Sequence, residues 1–219
     1  MAVAWQYPGQ ILEVIPARYS RVTDPTSSIS IFCYGDSLTW DDDGQAWNFS
    51  PPCPNPYAKY LEQQLANVLQ PAATVRHIGI PGWTSFQMHD AFNNEKDGLC
   101  PAIRNSPNLS LVIILVGTND ITDIELQAAP EDRAALIAQS IIDLHTRALS
   151  FCGSTSFNTL SIGIPESRVQ LVEQPVRGRM ATLINNALKE FASTDSRMGV
   201  SICTEGDLTP FLALPSCGA

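Results

Sequence analysis

Long apolar segments are missing from this 219-residue chain. No run approaches the roughly 20 apolar residues needed to span a bilayer, and the opening "MAVAWQYPGQ" has neither the basic nor the apolar part of a signal peptide. We therefore expect no membrane-spanning segment and a cytoplasmic location. The length and the 44% hydrophobic content fit one globular domain with a sizeable core.

Basic residues are also few. Lysine and arginine total 13 against 22 aspartate and glutamate residues, which gives a formal net charge of −9, and no basic cluster stands out along the chain. Such a protein would repel a nucleic-acid backbone or an anionic membrane surface, so we expect neither as a partner. The sequence leaves the oligomeric state open.

Cysteine pairs with the spacing of a metal site do not occur. The six cysteines are scattered and form no C-x-x-C pair, so the sequence indicates neither a zinc site nor a dense disulfide framework. Cys33 and Cys203 lie inside apolar runs, where cysteine behaves as a small hydrophobe. We expect free thiols.

Common nucleotide-binding and hydrolase signatures are absent too. The chain has no G-x-G-x-x-G, no G-x-x-x-x-G-K-[ST] and no G-x-S-x-G nucleophile elbow. Their absence removes the main competing enzyme classes for an α/β fold.

What the chain does contain is an alternation of strand and helix patterns. Five short β-rich runs are predicted, at residues 29–34, 74–80, 109–116, 159–165 and 199–203. Four stretches with helical spacing lie between them, beginning at Pro56, near Ser85, at Pro130 and at Arg177. A continuous apolar run such as "LVIILV" is typical of a strand buried on both faces, and right-handed crossovers then place helices on each side of a parallel sheet. The pattern predicts a three-layer α/β/α domain.

Polar loops follow the first three predicted strands. They read "GDSLTW", "GIPGWTS" and "GTND". In open parallel sheets, ligands bind outside the carboxyl ends of the strands, which is where these loops would meet. Taken singly, each loop has the composition of an ordinary turn.

Together the three loops resemble the SGNH or GDSL hydrolases, a family of serine esterases and lipases. "GDSLT" matches the family's first block and implies that Ser37 is the nucleophile. "GIPGWTS" resembles the second block and "GTND" matches the third, which implies an oxyanion hole formed by the backbone N–H groups of Ser37 and Gly82 and the side-chain amide of Asn119. Gly79 is the alternative to Gly82, but it falls at the end of the predicted strand.

The resemblance also implies the fold and the reaction. It extends over about residues 28–205 and implies a five-stranded, mostly parallel, flavodoxin-like sheet in an α/β/α sandwich. The expected domain is residues 28–219, after an N-terminal extension of residues 1–27. The expected reaction is cleavage of a small-molecule carboxylic ester through an acyl-serine intermediate, with no cofactor and no metal.

These residue types suit acyl transfer for chemical reasons. Negative charge develops on a carbonyl oxygen, and preorganised neutral donors aimed at it can each contribute about 3–4 kcal/mol. A glycine lets its backbone N–H approach the substrate closely. We interpret Asp36 as a structural residue that holds the turn, rather than as the acid of a triad. Trp40, Trp47 and Trp83 lie near the predicted mouth of the site, as lining or as packing.

The catalytic base is left unassigned. The last block of the family is an Asp-x-x-His near the C-terminus, and none of the three histidines has an aspartate three residues before it. We expect structural roles for His77 in a strand and His145 in a helix, and a packing or solvated role for His89, with the cleft as the alternative.

The tail "TEGDLTPFLALPSCGA" follows the last predicted strand. In the family, a segment like "GDLTPFL" commonly precedes the missing block. We therefore expect a C-terminally truncated hydrolase with impaired activity. One alternative is a catalytically inactive pseudoenzyme that binds an ester, acyl or sugar ligand, and another is a flavodoxin-like binding domain in which the three loops are only turns.

Overall fold

Strands and helices alternate along the chain, as the sequence pattern predicts. The structure is a computed structural model that describes residues 13–15, 29–40, 57–67, 69, 72–121, 129–151, 157–165 and 174–202. The strands of this part are β1 (Glu13–Ile15), β2 (Ser30–Gly35), β3 (Thr74–Gly79), β4 (Leu109–Leu115), β5 (Asn158–Ile162) and β6 (Met198–Ile202). Its helices are α1 (Tyr57–Ala66), α2 (Ser85–Asp90), α3 (Leu99–Arg104), α4 (Pro130–Phe151) and α5 (Pro175–Thr194).

The strands form one sheet in the order β1-β6-β5-β4-β2-β3. The strands β2 to β6 are parallel to one another, and β1 pairs antiparallel with β6 at one edge. The five parallel strands, numbered among themselves, give the order 2-1-3-4-5 of a flavodoxin-like sheet. The predicted fold class is confirmed.

Strand β2 lies between β3 and β4, and all three end at the same level. Gly35 at the end of β2 is in register with Gly79 of β3 and with Leu115 of β4. The chain order reverses at this point, which in open α/β sheets is where the ligand crevice forms. The register therefore brings the three polar loops to one edge of the sheet.

The two faces of the sheet carry separate hydrophobic clusters. On one face, Phe32 and Tyr34 of β2 join a large core with side chains from α2, α3, α4 and α5. On the other face, Ile31 and Cys33 pack with Ala58 of α1. Every residue of β2 is buried, which explains why its sequence is apolar without alternation.

The face covered by α1 is less completely buried than the other. Within the described residues, α1 is the helix that packs on this face, and Leu111, Leu160 and Ile162 are half-buried there. On the opposite face of β5, Thr159 and Ser161 are fully buried. Thr159 and Ser161 of β5 thus face the larger hydrophobic cluster, and Leu160 and Ile162 face the smaller cluster under α1.

Two elements were not predicted from the sequence. β1 has three residues at the edge of the sheet, and α3 has six residues with a proline inside it. Both are too short to show a hydrophobic period. The other elements lie within a few residues of their predicted bounds.

Several predictions concern residues outside the described part of the chain. Cys33 and Cys100 are free and buried, whereas the other cysteines, at positions 53, 152, 203 and 217, lie outside it. Most of the N-terminal extension, Trp47 and the tail from residue 203 also lie outside. No described helix is both long and apolar enough to cross a membrane.

Candidate active site

Ser37 lies in the tight turn that directly follows β2. The backbone N–H of Leu38 donates to Asp36 Oδ1 at 3.0 Å, and the N–H of Thr39 donates to the carbonyl oxygen of Asp36 at 3.0 Å. Asp36 and Thr39 are fully buried, while Ser37 between them is exposed. The turn therefore presents Ser37 at the surface on a buried, hydrogen-bonded frame.

Asp36 also bonds the loop that follows β4. Its backbone N–H donates to the carbonyl oxygen of Leu115 at 3.2 Å, and its Oδ2 accepts a hydrogen bond from Thr118 Oγ1. Burial raises the pKa of Asp36, the hydrogen bonds from Thr118 and Leu38 oppose that rise, and the nearby Asp120 carboxylate adds to it. These contacts agree with the structural role predicted for Asp36.

Gly82 lies in the turn between β3 and α2. This turn is closed by the N–H of Trp83, which donates to the carbonyl oxygen of Ile80 at 3.3 Å. Gly82 is exposed with φ of 79°, and a Cβ at this position would meet no atom within 4 Å. Its conformation favours glycine, and the space beside it is open to a ligand.

Gly79, the alternative to Gly82, has a different environment. It is the last residue of β3, and a Cβ there would collide with the backbone of Trp40. Packing of the chain against itself therefore accounts for glycine at position 79. This observation favours Gly82 as the glycine that faces a substrate.

Asn119 lies in the turn after β4 and bonds the second loop. Its Nδ2 donates to the carbonyl oxygen of Trp83 at 2.9 Å. Trp83 is adjacent to Gly82 in the chain, so this bond places Asn119 beside the Gly82 turn. The positive φ of Gly117, 115°, lets the chain turn from β4 into this loop.

Side-chain hydrogen bonds connect the three predicted loops to one another. The Asp36–Thr118 bond joins the loop of Ser37 to the loop of Asn119, and the Asn119–Trp83 bond joins that loop to the one of Gly82. The structure brings all three loops to the carboxyl edge of the sheet, at the point where the strand order reverses.

The three histidines are not part of this cluster of bonds. His77 lies within β3, in register with Cys33, and His89 lies in α2 with its Nδ1 3.5 Å from Asp90 Oδ1. His145 is fully buried in α4, and burial lowers its pKa to about 3. Among the residues that the structure describes, no side chain hydrogen-bonds Ser37, so the base stays unassigned.

Sequence reasoning missed one polar contact of the site. The carboxylate of Asp120 accepts hydrogen bonds from both the backbone N–H and the hydroxyl of Ser85, each at 2.8 Å. Both residues belong to the loops quoted from the sequence, but only the fold shows that they bond each other. In the described ranges, no three His, Cys, Asp or Glu side chains are grouped in a way that would hold a metal.

Comparisons with known proteins agree with this arrangement. Residues 33–201 match the model of the GDSL-like lipase/acylhydrolase family. No curated protein matches the chain significantly.

Several solved structures share the fold. A carbohydrate acetylesterase from Sinorhizobium meliloti aligns with a TM-score of 0.53 and 21% identity, covering 80% of this chain and 84% of that one. A lipase from a goat rumen metagenome aligns with a TM-score of 0.55 and 13% identity, covering 79% and 80%. A lipase/acylhydrolase from Enterococcus faecalis aligns with a TM-score of 0.50 and 14% identity, covering 80% and 75%.

The family model extends from within β2 to within β6, so it contains the three loops and nearly all of the parallel sheet. The resemblance drawn from the sequence motifs is confirmed by an independent comparison. The chain belongs to the GDSL-like lipase/acylhydrolase family of serine ester hydrolases.

Proposed function

We propose that Ser37 is the nucleophile of a carboxylic-ester hydrolase that works through an acyl-serine intermediate. The backbone N–H groups of Ser37 and Gly82 and the side-chain amide of Asn119 are the proposed oxyanion donors. The observation that carries the proposal is the pair of hydrogen bonds, Asp36–Thr118 and Asn119–Trp83, that hold the three loops at one sheet edge. Family membership supports the same chemistry.

In the proposed reaction, Ser37 Oγ forms a bond to the ester carbonyl carbon while the carbonyl electrons move onto oxygen. The three donors stabilise this oxyanion, and its collapse breaks the bond to the alcohol, which leaves with a proton. A water molecule then attacks the acyl-serine in the same way, which releases the carboxylic acid and restores the Ser37 hydroxyl. The donors are neutral and fixed before the charge appears, which is what makes them effective.

Ser37 needs a base to accept its proton, and the described residues supply none. His145 is buried and neutral, and neither His77 nor His89 bonds Ser37. Loss of a triad member typically lowers kcat by roughly four to six orders of magnitude. We therefore infer that this protein hydrolyses esters slowly. This same observation supports the alternative of a pseudoenzyme that binds an ester, acyl or sugar ligand without turnover.

The proposed substrate is an uncharged small-molecule ester with a short acyl group. Leu38, beside Ser37, is 42% exposed and offers an apolar contact next to the reacting atom. The net charge of −9 disfavours anionic substrates. One structural neighbour is a carbohydrate acetylesterase, and an acetyl group is a short acyl group.

Hydrolysis of p-nitrophenyl acetate by the purified protein tests the proposal. Ser37→Ala should lower the rate to the level that the oxyanion donors alone sustain, whereas Ser196→Ala, which changes an exposed serine just before β6, should leave it unchanged. A wild-type rate in Ser37→Ala would show that Ser37 is not the nucleophile. If NMR detects binding of acetate or of an ester and no turnover is found, the result would support the pseudoenzyme instead.

A further inference from the structure

Asp120 directly follows Asn119, and its carboxylate bonds the start of α2 twice. Oδ2 accepts a hydrogen bond from the backbone N–H of Ser85, and Oδ1 accepts one from Ser85 Oγ, both at 2.8 Å. Asp120 is 3% exposed and Ser85 is fully buried. A buried carboxylate that uses both oxygens on one residue fixes distance and orientation together.

The neighbouring residue bonds the same segment from another side. Asn119 Nδ2 donates to the carbonyl oxygen of Trp83 at 2.9 Å, so two consecutive residues of the third loop hold residues 83 and 85 of the second. One contact would leave the Gly82 turn able to pivot about it. With one contact before Thr84 and one after it, both the distance of the Gly82 turn from Asn119 and the rotation of that turn are restricted.

The charge around Asp120 suits this bonding pattern. Burial raises the pKa of Asp120 above its usual value, and the two hydrogen bonds from Ser85 and the guanidinium of Arg133 reduce that rise. Arg133 lies over the ring of Phe86 with its Cζ 4.9 Å from the centroid, which keeps the positive charge near the start of α2. In these two hydrogen bonds both Ser85 groups donate and both oxygens of Asp120 accept, which is the pattern of an ionised carboxylate.

We propose that Asp120 and Ser85 form a positioning pair that sets the distance between the Gly82 N–H and the Asn119 side-chain amide. The inference rests on the proposed function, since it concerns two of the three proposed oxyanion donors. Neither residue of the pair touches the substrate in this assignment. Their effect reaches the reaction through Trp83 and Gly82 on one side and through Asn119 on the other.

NMR of ¹⁵N-labelled protein tests the pair without reference to turnover. Ser85→Ala and Asp120→Asn should each shift the Asn119 side-chain amide resonances and the Gly82 N–H resonance. Gln87→Ala is the matched control. Gln87 Oε1 accepts a hydrogen bond from the backbone N–H of Thr84, the N-cap residue of α2, and Gln87 does not bond Asp120. This control variant should leave the Asn119 side-chain resonances in place. Wild-type Asn119 and Gly82 resonances in both pair variants would overturn the inference.

Kinetics with p-nitrophenyl acetate give the second readout. Ser85→Ala should lower kcat about 10- to 100-fold and change KM by less than about threefold, because the variant weakens stabilisation of the transition state and not binding of the substrate. Adding Asn119→Ala to Ser85→Ala should lower kcat little further than Asn119→Ala alone, since the two act as a unit. Independent, multiplied losses in the double variant would overturn the positioning role.

The two tests keep this inference separate from the proposed function. If Ser37→Ala retains the wild-type rate, the nucleophile assignment fails while the NMR result still decides whether the pair positions Gly82 and Asn119. If the resonances stay fixed while Ser37→Ala is inactive, the pair fails and the nucleophile stands. Ser85→Ala removes only one hydroxyl, so it serves as the readout should Asp120→Asn not fold.

Discussion

The side-chain nitrogen of Asn119 lies 2.9 Å from the carbonyl oxygen of Trp83 and donates a hydrogen bond to it. An amide nitrogen carries two N–H bonds in a fixed plane, so using one of them to bond Trp83 sets the direction of the other. The Asn119 side chain is thereby oriented before any ligand arrives. Orientation in advance is what electrostatic stabilisation of an oxyanion requires.

The first prediction concerns Asn119 itself. Asn119→Ala should lower kcat for p-nitrophenyl acetate about 10²- to 10³-fold, because one of the proposed oxyanion donors is lost, with a much smaller change in KM. Asn186→Ala, an exposed asparagine on α5, is the matched control and should retain wild-type kinetics. A change in KM alone would assign Asn119 to ground-state binding.

The second prediction separates two glycines with positive φ. In Gly82→Ala, the new Cβ meets nothing within 4 Å, so the free energy of unfolding should fall by only about 1 kcal/mol. In Gly117→Ala, the Cβ would lie 2.8 Å from Ile164 Cδ1 as well as at φ of 115°, and the loss should reach about 2–3 kcal/mol. Urea denaturation of both variants measures the difference, and a larger loss in Gly82→Ala would contradict this order.

The third prediction concerns the loop after β5. The buried side chain of Asn185 on α5 accepts from the backbone N–H of Ile164 at 2.8 Å and donates to its carbonyl oxygen at 3.0 Å. Asn185→Ala leaves two buried backbone groups without partners, so unfolding free energy should fall by about 2–4 kcal/mol. Asn186→Ala removes an exposed side chain and should change it by less than about 0.5 kcal/mol. Equal stabilities of the two variants in urea would show that the Asn185–Ile164 hydrogen bonds do not stabilise the fold.

Much of the sheet and its polar edge follows from local sequence. The apolar run of β4 and the turn chemistry of "GDSL" and "GTND" are short-range signals, and they predicted the strand ends on which Ser37 and Asn119 lie. These features could be predicted because neighbouring residues in the chain determine them.

The bonds between loops could not be predicted in this way. Asp120 and Ser85 are separated by 35 positions, and their contact depends on how far the turn after β3 leans towards the one after β4. The environment of His145 could not be predicted either. The hydrophobic pattern of α4 shows which face of the helix is buried, but not whether the His145 ring has a hydrogen-bond partner there. Long-range geometry decides both.

The last prediction concerns the dependence of stability on pH. His145 is fully buried in α4, neither ring nitrogen has a hydrogen-bond partner among the described residues, and burial lowers its pKa from 6.5 to about 3. The folded protein holds the ring neutral, whereas the unfolded chain lets it accept a proton below about pH 6.5. The stability contribution is therefore complete above that pH and is lost as the pH falls towards 3.

One pKa unit corresponds to about 1.4 kcal/mol, so His145 should account for a loss of about 2 kcal/mol between pH 7.5 and pH 5. His145→Leu has similar volume and cannot take up a proton, so its unfolding free energy should exceed that of the wild type increasingly at acid pH. Urea denaturation at pH 7.5, 6 and 5 measures the differences. Parallel pH profiles for the wild type and His145→Leu would show that the buried ring does not govern acid stability, because every other titrating group, Asp36 and Asp120 included, is common to both proteins.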